Sequence, residues 1–242
     1  MPLNAECARR AYDRIGRLQD TQAIYEHAVT RRLAELGRFE QARWAFELGC
    51  GTGRFAAELL RDRLPVAARY RGVEISPRMA ALARRRLAPW VPRAEVVLVD
   101  PPGRVLPGSD GQFDRFVACY LFDLLAYNHA GTVLSEAGRL LAPNGLLCLV
   151  SLTRGVTRTG RMISDAWDSV SDRWPSLLGG CRPIELAMLL EPDAWQIDHQ
   201  EVLTRWGVSS QLVVASRAKR ANGWVTTTHG TCGPAPPSIR GQ

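Results

Sequence analysis

Lysine is nearly missing from this chain, since Lys219 is the only lysine among 31 Lys plus Arg residues. Arginine therefore carries the formal net charge of +7, which indicates a compositional habit rather than a binding patch. The densest cluster, Arg84-Arg85-Arg86, has no aromatic residues among its arginines. It ends a predicted helix, where cations complement the helix dipole. We therefore do not expect nucleic acid as the partner.

Metal-type cysteine pairs and long apolar runs are missing too. None of the six cysteines forms a C-x-x-C pair or another metal spacing, so no structural metal is predicted. Cys50, Cys119 and Cys148 fall within proposed sheet motifs, and we expect small buried or site-lining thiols in a reducing cytoplasm. No apolar run approaches the roughly 18 residues of a membrane span, and the N-terminus lacks the apolar core of a signal peptide. The sequence predicts a cytoplasmic protein without a membrane span.

Strand and helix patterns alternate along most of the 242 residues. This order favours an α/β domain with a doubly wound parallel sheet and right-handed crossovers. Residues 1–40 have a helical pattern, and two late β runs, Trp195–Leu203 and Gln211–Ser216, suit a terminal hairpin. The predicted order between them is strand 43–48, helix 53–62, strand 68–74, helix 77–87, strand 95–99, strand 113–119, helix 131–141 and strand 145–152.

Three alternating glycines, Gly49, Gly51 and Gly53, lie between the first strand and the first helix of this series. Glycine lets a ligand approach bare backbone, and the following helix N-terminus supplies unpaired N–H groups. The dinucleotide fingerprint is G-x-G-x-x-G, but here Arg54 stands in place of its third glycine. Glu47, two residues before the first glycine, would repel a pyrophosphate. It suits a cofactor that carries positive charge.

At this point the chain resembles the class I S-adenosylmethionine (SAM) methyltransferases, whose first motif reads E/D-x-G-x-G-x-G. The resemblance covers roughly residues 40 to 217 and includes further motifs in family order: Arg69–Ser76, Ala94–Asp100, Phe113–Tyr120 and Val133–Leu147, in which Asn144 replaces a glycine. It implies an α/β fold with a doubly wound, mostly parallel seven-stranded sheet and a C-terminal antiparallel hairpin. It also implies transfer of a methyl group from SAM, with S-adenosylhomocysteine (SAH) as the product.

The resemblance further implies which residues bind the cofactor. Glu47 and the glycine turn would hold the methionine moiety, and Asp100 with Ile75 the adenine. Glu74 stands about 20 positions beyond the turn, the spacing of a ribose-binding carboxylate. Pro101 lacks the backbone N–H that its position commonly offers to adenine. The predicted cofactor-binding residues are Glu47, Gly49, Cys50, Gly51, Thr52, Gly53, Glu74, Ile75, Ser76, Met79, Asp100, Pro101, Cys119 and Tyr120.

No residue of the sequence is marked as catalytic, because methyl transfer depends mainly on an aligned acceptor. The weak candidates are Tyr12, Tyr120, Asp123 and His129, and Asp123 has a helix N-terminal carboxylate as its ordinary alternative. Similar enzymes use the N-terminal segment as a lid and the region after the fifth strand as an acceptor cap. The predicted substrate-binding residues are Tyr12, Gln19, Gln22, Tyr25, Phe122, Trp167 and Arg182.

The domain prediction is a helical lid at 1–40, a SAM-binding domain at 41–217 with an acceptor cap at 153–192, and a flexible tail at 218–242. The predicted function is methylation of a small organic acceptor by a monomer or homodimer. Two alternatives stay open. One is an RNA methyltransferase, motivated by the basic charge. The other is a non-catalytic SAM-binding or partner-activating subunit, motivated by the missing catalytic residue.

Overall fold

The computed structural model describes residues 19–99, 105–155 and 183–218, and the strands within them form one mixed sheet. Its strand order is β3-β2-β1-β4-β5-β7-β6. Strands β1 to β5 pair in parallel, and β7 inserts antiparallel between β5 and β6. This confirms the predicted fold class. The strands are β1 Trp44–Leu48, β2 Arg69–Glu74, β3 Ala94–Leu98, β4 Phe113–Cys119, β5 Leu141–Leu152, β6 Trp195–Arg205 and β7 Val208–Arg217.

Helices pack on both faces of this sheet. They are α1 Gln19–Leu36, α2 Arg54–Asp62, α3 Pro77–Leu87 and α4 Tyr127–Leu140. Buried residues of α1, α2 and α3 share one hydrophobic cluster with one sheet face, and those of α4 share a second cluster with the other face. Residues 146–152 of β5 are therefore buried without alternation, as expected for a strand covered on both sides.

Two element boundaries differ from the sequence prediction by four residues. Helix α4 begins at Tyr127 rather than at 131, and β5 begins at Leu141 rather than at 145. Leu141 pairs with Phe113 and Leu146 pairs with Arg115, so the residues between them bulge out of the ladder. Residues 142–144, which the sequence prediction left between a helix and a strand, thus lie inside β5, because pairing with β4 continues on both sides of them.

A buried arginine joins α1 to the sheet. The guanidinium of Arg115, on β4, donates from Nε to the Gly37 carbonyl at 2.5 Å and from Nη2 to the Arg38 carbonyl at 2.7 Å. These carbonyls follow the last turn of α1, which has no intrahelical donors for them. Arg115 therefore fixes the end of α1 against the middle of the sheet.

The domain boundaries of the sequence prediction stay predictions. Residues 1–18, 156–182 and 219–242 lie outside the described residues, and with them part of the proposed lid and most of the proposed cap and tail. Among the helices that are described, none is both long enough and apolar enough to cross a membrane.

Candidate functional site

The glycine turn lies at the carboxyl end of β1. Gly49, Gly51 and Gly53 have φ values of +74°, +53° and +73°, in the left-handed region that favours glycine. The Gly49 and Cys50 N–H groups both donate to the Val73 carbonyl of β2, at 2.8 and 3.2 Å. The turn is therefore tied to the neighbouring strand and directs its backbone beyond the carboxyl edge of the sheet, where open α/β folds bind ligands.

The space around the three glycines differs and shows where a ligand fits. A Cβ at Gly53 would come within 3.1 Å of the Ala83 backbone, so this glycine permits close packing of α2 on α3. A Cβ at Gly49 would meet the Leu121 side chain at 3.4 Å. A Cβ at Gly51 would meet nothing within 4 Å. Gly51 therefore presents bare backbone to open space, as an extended nucleotide cofactor requires.

Glu74 connects this turn to the end of β2. Its Oε2 accepts the Gly51 N–H at 2.9 Å, and its Oε1 accepts the N–H groups of Ile75 and Ser76 at 2.9 and 3.0 Å. The side chain is 7% exposed. Backbone N–H groups stabilise an ionised carboxylate, so Glu74 places a negative charge beside Gly51.

Ser76 and Met79 form the start of α3. Ser76 is the N-cap residue, and its hydroxyl accepts the Met79 N–H at 3.2 Å. Pro77 occupies the first turn, where its missing N–H has no cost. Both Ser76 and Met79 are buried, so the structure gives them a role in fixing the loop after Glu74.

Glu47 lies deeper than the turn, with 3% of its surface exposed. Its Oε2 accepts the Tyr70 hydroxyl at 2.6 Å. Burial raises the pKa of the Glu47 carboxyl to about 7, the Tyr70 hydrogen bond opposes this rise, and the negative charge of Glu74 adds to it. Gly72 leaves room for the pair, since a Cβ there would lie 2.9 Å from the Tyr70 hydroxyl. Sequence reasoning identified Glu47 but missed Tyr70.

Cys50 and Cys148 are buried and Cys119 is half-buried, and all three carry neutral thiols. Burial raises the pKa of Cys50 and of Cys119 well above the ordinary value, and that of Cys148 to about 12. Such thiols are poor nucleophiles and poor metal ligands. No group of three His, Cys, Asp or Glu side chains suited to a metal ion occurs in the described part of the chain.

Thr52, the remaining residue of the turn, is held by an arginine that sequence reasoning assigned only to the helix dipole. Nη1 of Arg86 donates to the Thr52 carbonyl at 2.8 Å and to its hydroxyl at 2.5 Å. Arg84, in the same cluster, donates to the Val96 carbonyl of β3. The arginine cluster thus braces the glycine turn and an adjacent strand.

Tyr120 follows β4 at the same edge of the sheet. Its φ is +53°, a strained conformation for a residue with a side chain. Its N–H donates to the Val150 carbonyl at 2.7 Å, and its hydroxyl lies 3.1 Å from the Ser210 hydroxyl of β7. Strain of this kind is held in place by its surroundings. Of the weak catalytic candidates among the described residues, Tyr120 has the most clearly fixed position.

The other candidates are placed less favourably or lie outside the described residues. Phe122 is 1% exposed within the core cluster of α4, and the carboxyl of Asp123 beside it is fully buried. His129 is exposed on α4. For Gln19, Gln22 and Tyr25 the structure describes only the backbone of α1. Outside the described residues lie Tyr12, Asp100, Pro101, Trp167 and Arg182.

Comparison with known proteins links this geometry to a family. Residues 45–145 match the family described as "Methyltransferase domain". Residues 45–145 are a class I methyltransferase domain. The match begins in β1 and ends in β5, and so includes the glycine turn, Glu74 and Tyr120. It confirms the predicted family and the predicted enzyme class, a SAM-dependent methyltransferase. A comparison with curated proteins gives no match.

Solved structures share the fold of the methyltransferase domain. Geranyl diphosphate C-methyltransferase from Streptomyces coelicolor A3(2), in complex with Mg²⁺, geranyl-S-thiolodiphosphate and SAH, is 13% identical, with a TM-score of 0.61 over 80% of this chain and 76% of that chain. The N-methyltransferase NodS from Bradyrhizobium japonicum WM9, in complex with SAH, is 17% identical, with a TM-score of 0.60 over 80% and 88%. The [4+2]-cyclase SpnF is 19% identical, with a TM-score of 0.60 over 78% and 80%.

Proposed function

We propose that this chain transfers the methyl group of SAM to a small organic acceptor at the carboxyl edge of the sheet. The observation that carries the proposal is the turn of three left-handed glycines, tied by Gly51 to the buried carboxylate of Glu74 and open to solvent space at Gly51. A carboxylate beside bare backbone suits a ligand that combines hydroxyl groups with positive charge.

In this proposal, the glycine turn and the end of β2 bind different parts of the cofactor. Glu74 accepts the ribose hydroxyls, the backbone of Gly49 to Gly53 faces the methionine end, and Ile75 borders the adenine. When bound, SAM supplies an electrophilic methyl group on a sulfonium. Arg86 holds Thr52, so the turn keeps its shape without the ligand. Such preorganisation reduces the ordering cost of binding.

Tyr120 forms the acceptor side in this proposal. Its hydroxyl is fixed by Ser210 and its backbone by Val150, so the ring has one defined position at the edge of β4. No general base is assigned, because holding the acceptor in line can itself supply up to roughly 7–11 kcal/mol of the barrier reduction. Asp123 and His129 stay weak candidates, since one is buried in the core and the other is exposed.

A small acceptor is supported by the fold shared with a geranyl diphosphate C-methyltransferase and with the N-methyltransferase NodS. Because a [4+2]-cyclase has the same fold, the test must follow the methyl group itself. The cytoplasmic location and the monomeric or dimeric state belong to the proposal as predictions.

The experiment is incubation of the purified chain with methyl-labelled SAM and fractionated extract, followed by identification of the labelled product. We expect label in a low-molecular-mass product, and much less of it with Glu74→Ala at the same SAM concentration. Label in RNA, with salt-dependent RNA binding, would establish the RNA alternative instead. SAM binding without any labelled product, unless a partner chain is added, would establish the non-catalytic alternative.

A further inference from the structure

Building on the proposed function, we propose that Glu47 holds a proton while the site is free of cofactor and releases it when SAM binds. The released proton passes to the solvent, and the carboxylate that remains faces the positively charged cofactor. Glu47 would then favour the sulfonium of SAM over the uncharged thioether of SAH, and so assist product release. It is a specificity-determining residue in this account.

The surroundings of Glu47 favour its neutral form. The carboxyl is 3% exposed, and the Tyr70 hydroxyl is the hydrogen-bond donor that the described residues give it. Glu74, the neighbouring acid, accepts three backbone N–H groups instead. Of two nearby carboxyl groups, the one with fewer donors and less solvent takes the proton. That group is Glu47.

Among the described residues, the titratable groups that act on Glu47 or lie beside it supply no positive charge. Tyr70 comes from β2, Glu74 from the end of β2, Cys50 from the glycine turn and Cys119 from β4. Tyr70, Cys50 and Cys119 are neutral because burial raises their pKa values. Glu74 carries a negative charge, which disfavours ionisation of Glu47. In this proposal the positive charge that ionises Glu47 comes from the ligand.

The position of Glu47 couples it to such a ligand. It lies on β1 two residues before Gly49, and it interacts electrostatically with Glu74, which bonds Gly51. A sulfonium above this turn favours the ionised carboxyl, whereas the thioether has no net charge at sulfur to do so. With a pKa of about 7 before binding, complete release of one proton raises SAM affinity about tenfold between pH 6 and pH 8.

The test is calorimetric titration of SAM and SAH into the wild type and Glu47→Gln, at several pH values and in buffers of different ionisation enthalpy. The buffer dependence of the heat gives the number of protons released, independently of catalysis. The glutamine variant keeps an acceptor for Tyr70 but has no proton to release. We expect proton release with SAM to exceed that of the glutamine variant, and a smaller excess with SAH.

A second measurement covers the case in which Glu47→Gln does not fold. Infrared difference spectra of the wild type should show loss of a protonated carboxyl band when SAM is added. Equal proton release in both proteins, or no change in that band, would overturn the inference while leaving the methyltransferase proposal intact. Failure of SAM to bind at all would overturn the proposed function, and this inference with it.

Discussion

Replacing Glu47 by glutamine should make the cofactor-free protein more stable at neutral pH and change how its stability depends on pH. The folded protein raises the pKa of this carboxyl from 4.5 to about 7 because the group is buried. Below pH 4.5 the carboxyl is protonated in both the folded and the unfolded chain, so its ionisation does not change the free energy of unfolding. As the pH rises towards 7, the unfolded chain ionises while the folded chain keeps its proton, and folding becomes less favourable.

The size of this effect follows from the shift. One pKa unit corresponds to about 1.4 kcal/mol, so a shift from 4.5 to about 7 costs roughly 3 kcal/mol of unfolding free energy above pH 7. Glutamine has the same shape, accepts the Tyr70 hydroxyl and does not titrate. The difference between wild type and Glu47→Gln should therefore grow by roughly 3 kcal/mol, in favour of the variant, between pH 4.5 and pH 8.

Urea unfolding of both proteins across this range measures the difference directly. Glu95→Gln is the matched control, because its carboxylate is 49% exposed and pairs with Arg71 on the outer part of the sheet. Parallel stability curves for wild type and Glu47→Gln would show that Glu47 is ionised in the folded protein. They would refute the reasoning from burial.

Further changes test the rest of the site. Glu74→Ala should weaken SAM binding by roughly 1.5–3 kcal/mol in calorimetry, because charged hydrogen bonds are lost, while Glu95→Ala should leave it unchanged. Gly51→Ala should cost about 1–2 kcal/mol of stability, from its left-handed φ alone. It should also reduce SAM affinity, because its methyl group would occupy the space in which the ligand binds. Gly53→Ala should destabilise the fold more in urea unfolding, since its Cβ meets the backbone of α3; the reverse order would contradict the assignment. Tyr120→Phe should lose about 0.5–1.5 kcal/mol of unfolding free energy, and no loss would mean that its hydroxyl bond is not formed.

The parts of the site that are local in sequence were predictable. The glycine turn depends on neighbouring residues, because the left-handed backbone at Gly49, Gly51 and Gly53 strongly favours glycine. Glu74 was also predictable, since a strand end at the right spacing returns to the same sheet edge. These features need only the alternation of strands and helices.

The hydrogen bonds and strand pairing that hold the site in place were not predictable, because each joins residues that are distant in sequence. Tyr70 and Glu47 are 23 positions apart, and Arg86 and Thr52 are 34 apart. The early start of β5 at Leu141 likewise depends on its pairing with Phe113. Such contacts follow from tertiary packing, which overrides local pattern.

The central claim is that a sulfonium nucleotide binds along the glycine turn between Glu47 and Glu74. A crystal structure of the protein saturated with SAH tests it most directly. We expect the ribose hydroxyls to bind Glu74, the ligand to contact the backbone of Gly51 directly, and the sulfur to lie on the Tyr120 side of the turn. A turn with no ligand, or a ligand bound at another edge of the sheet, would contradict it.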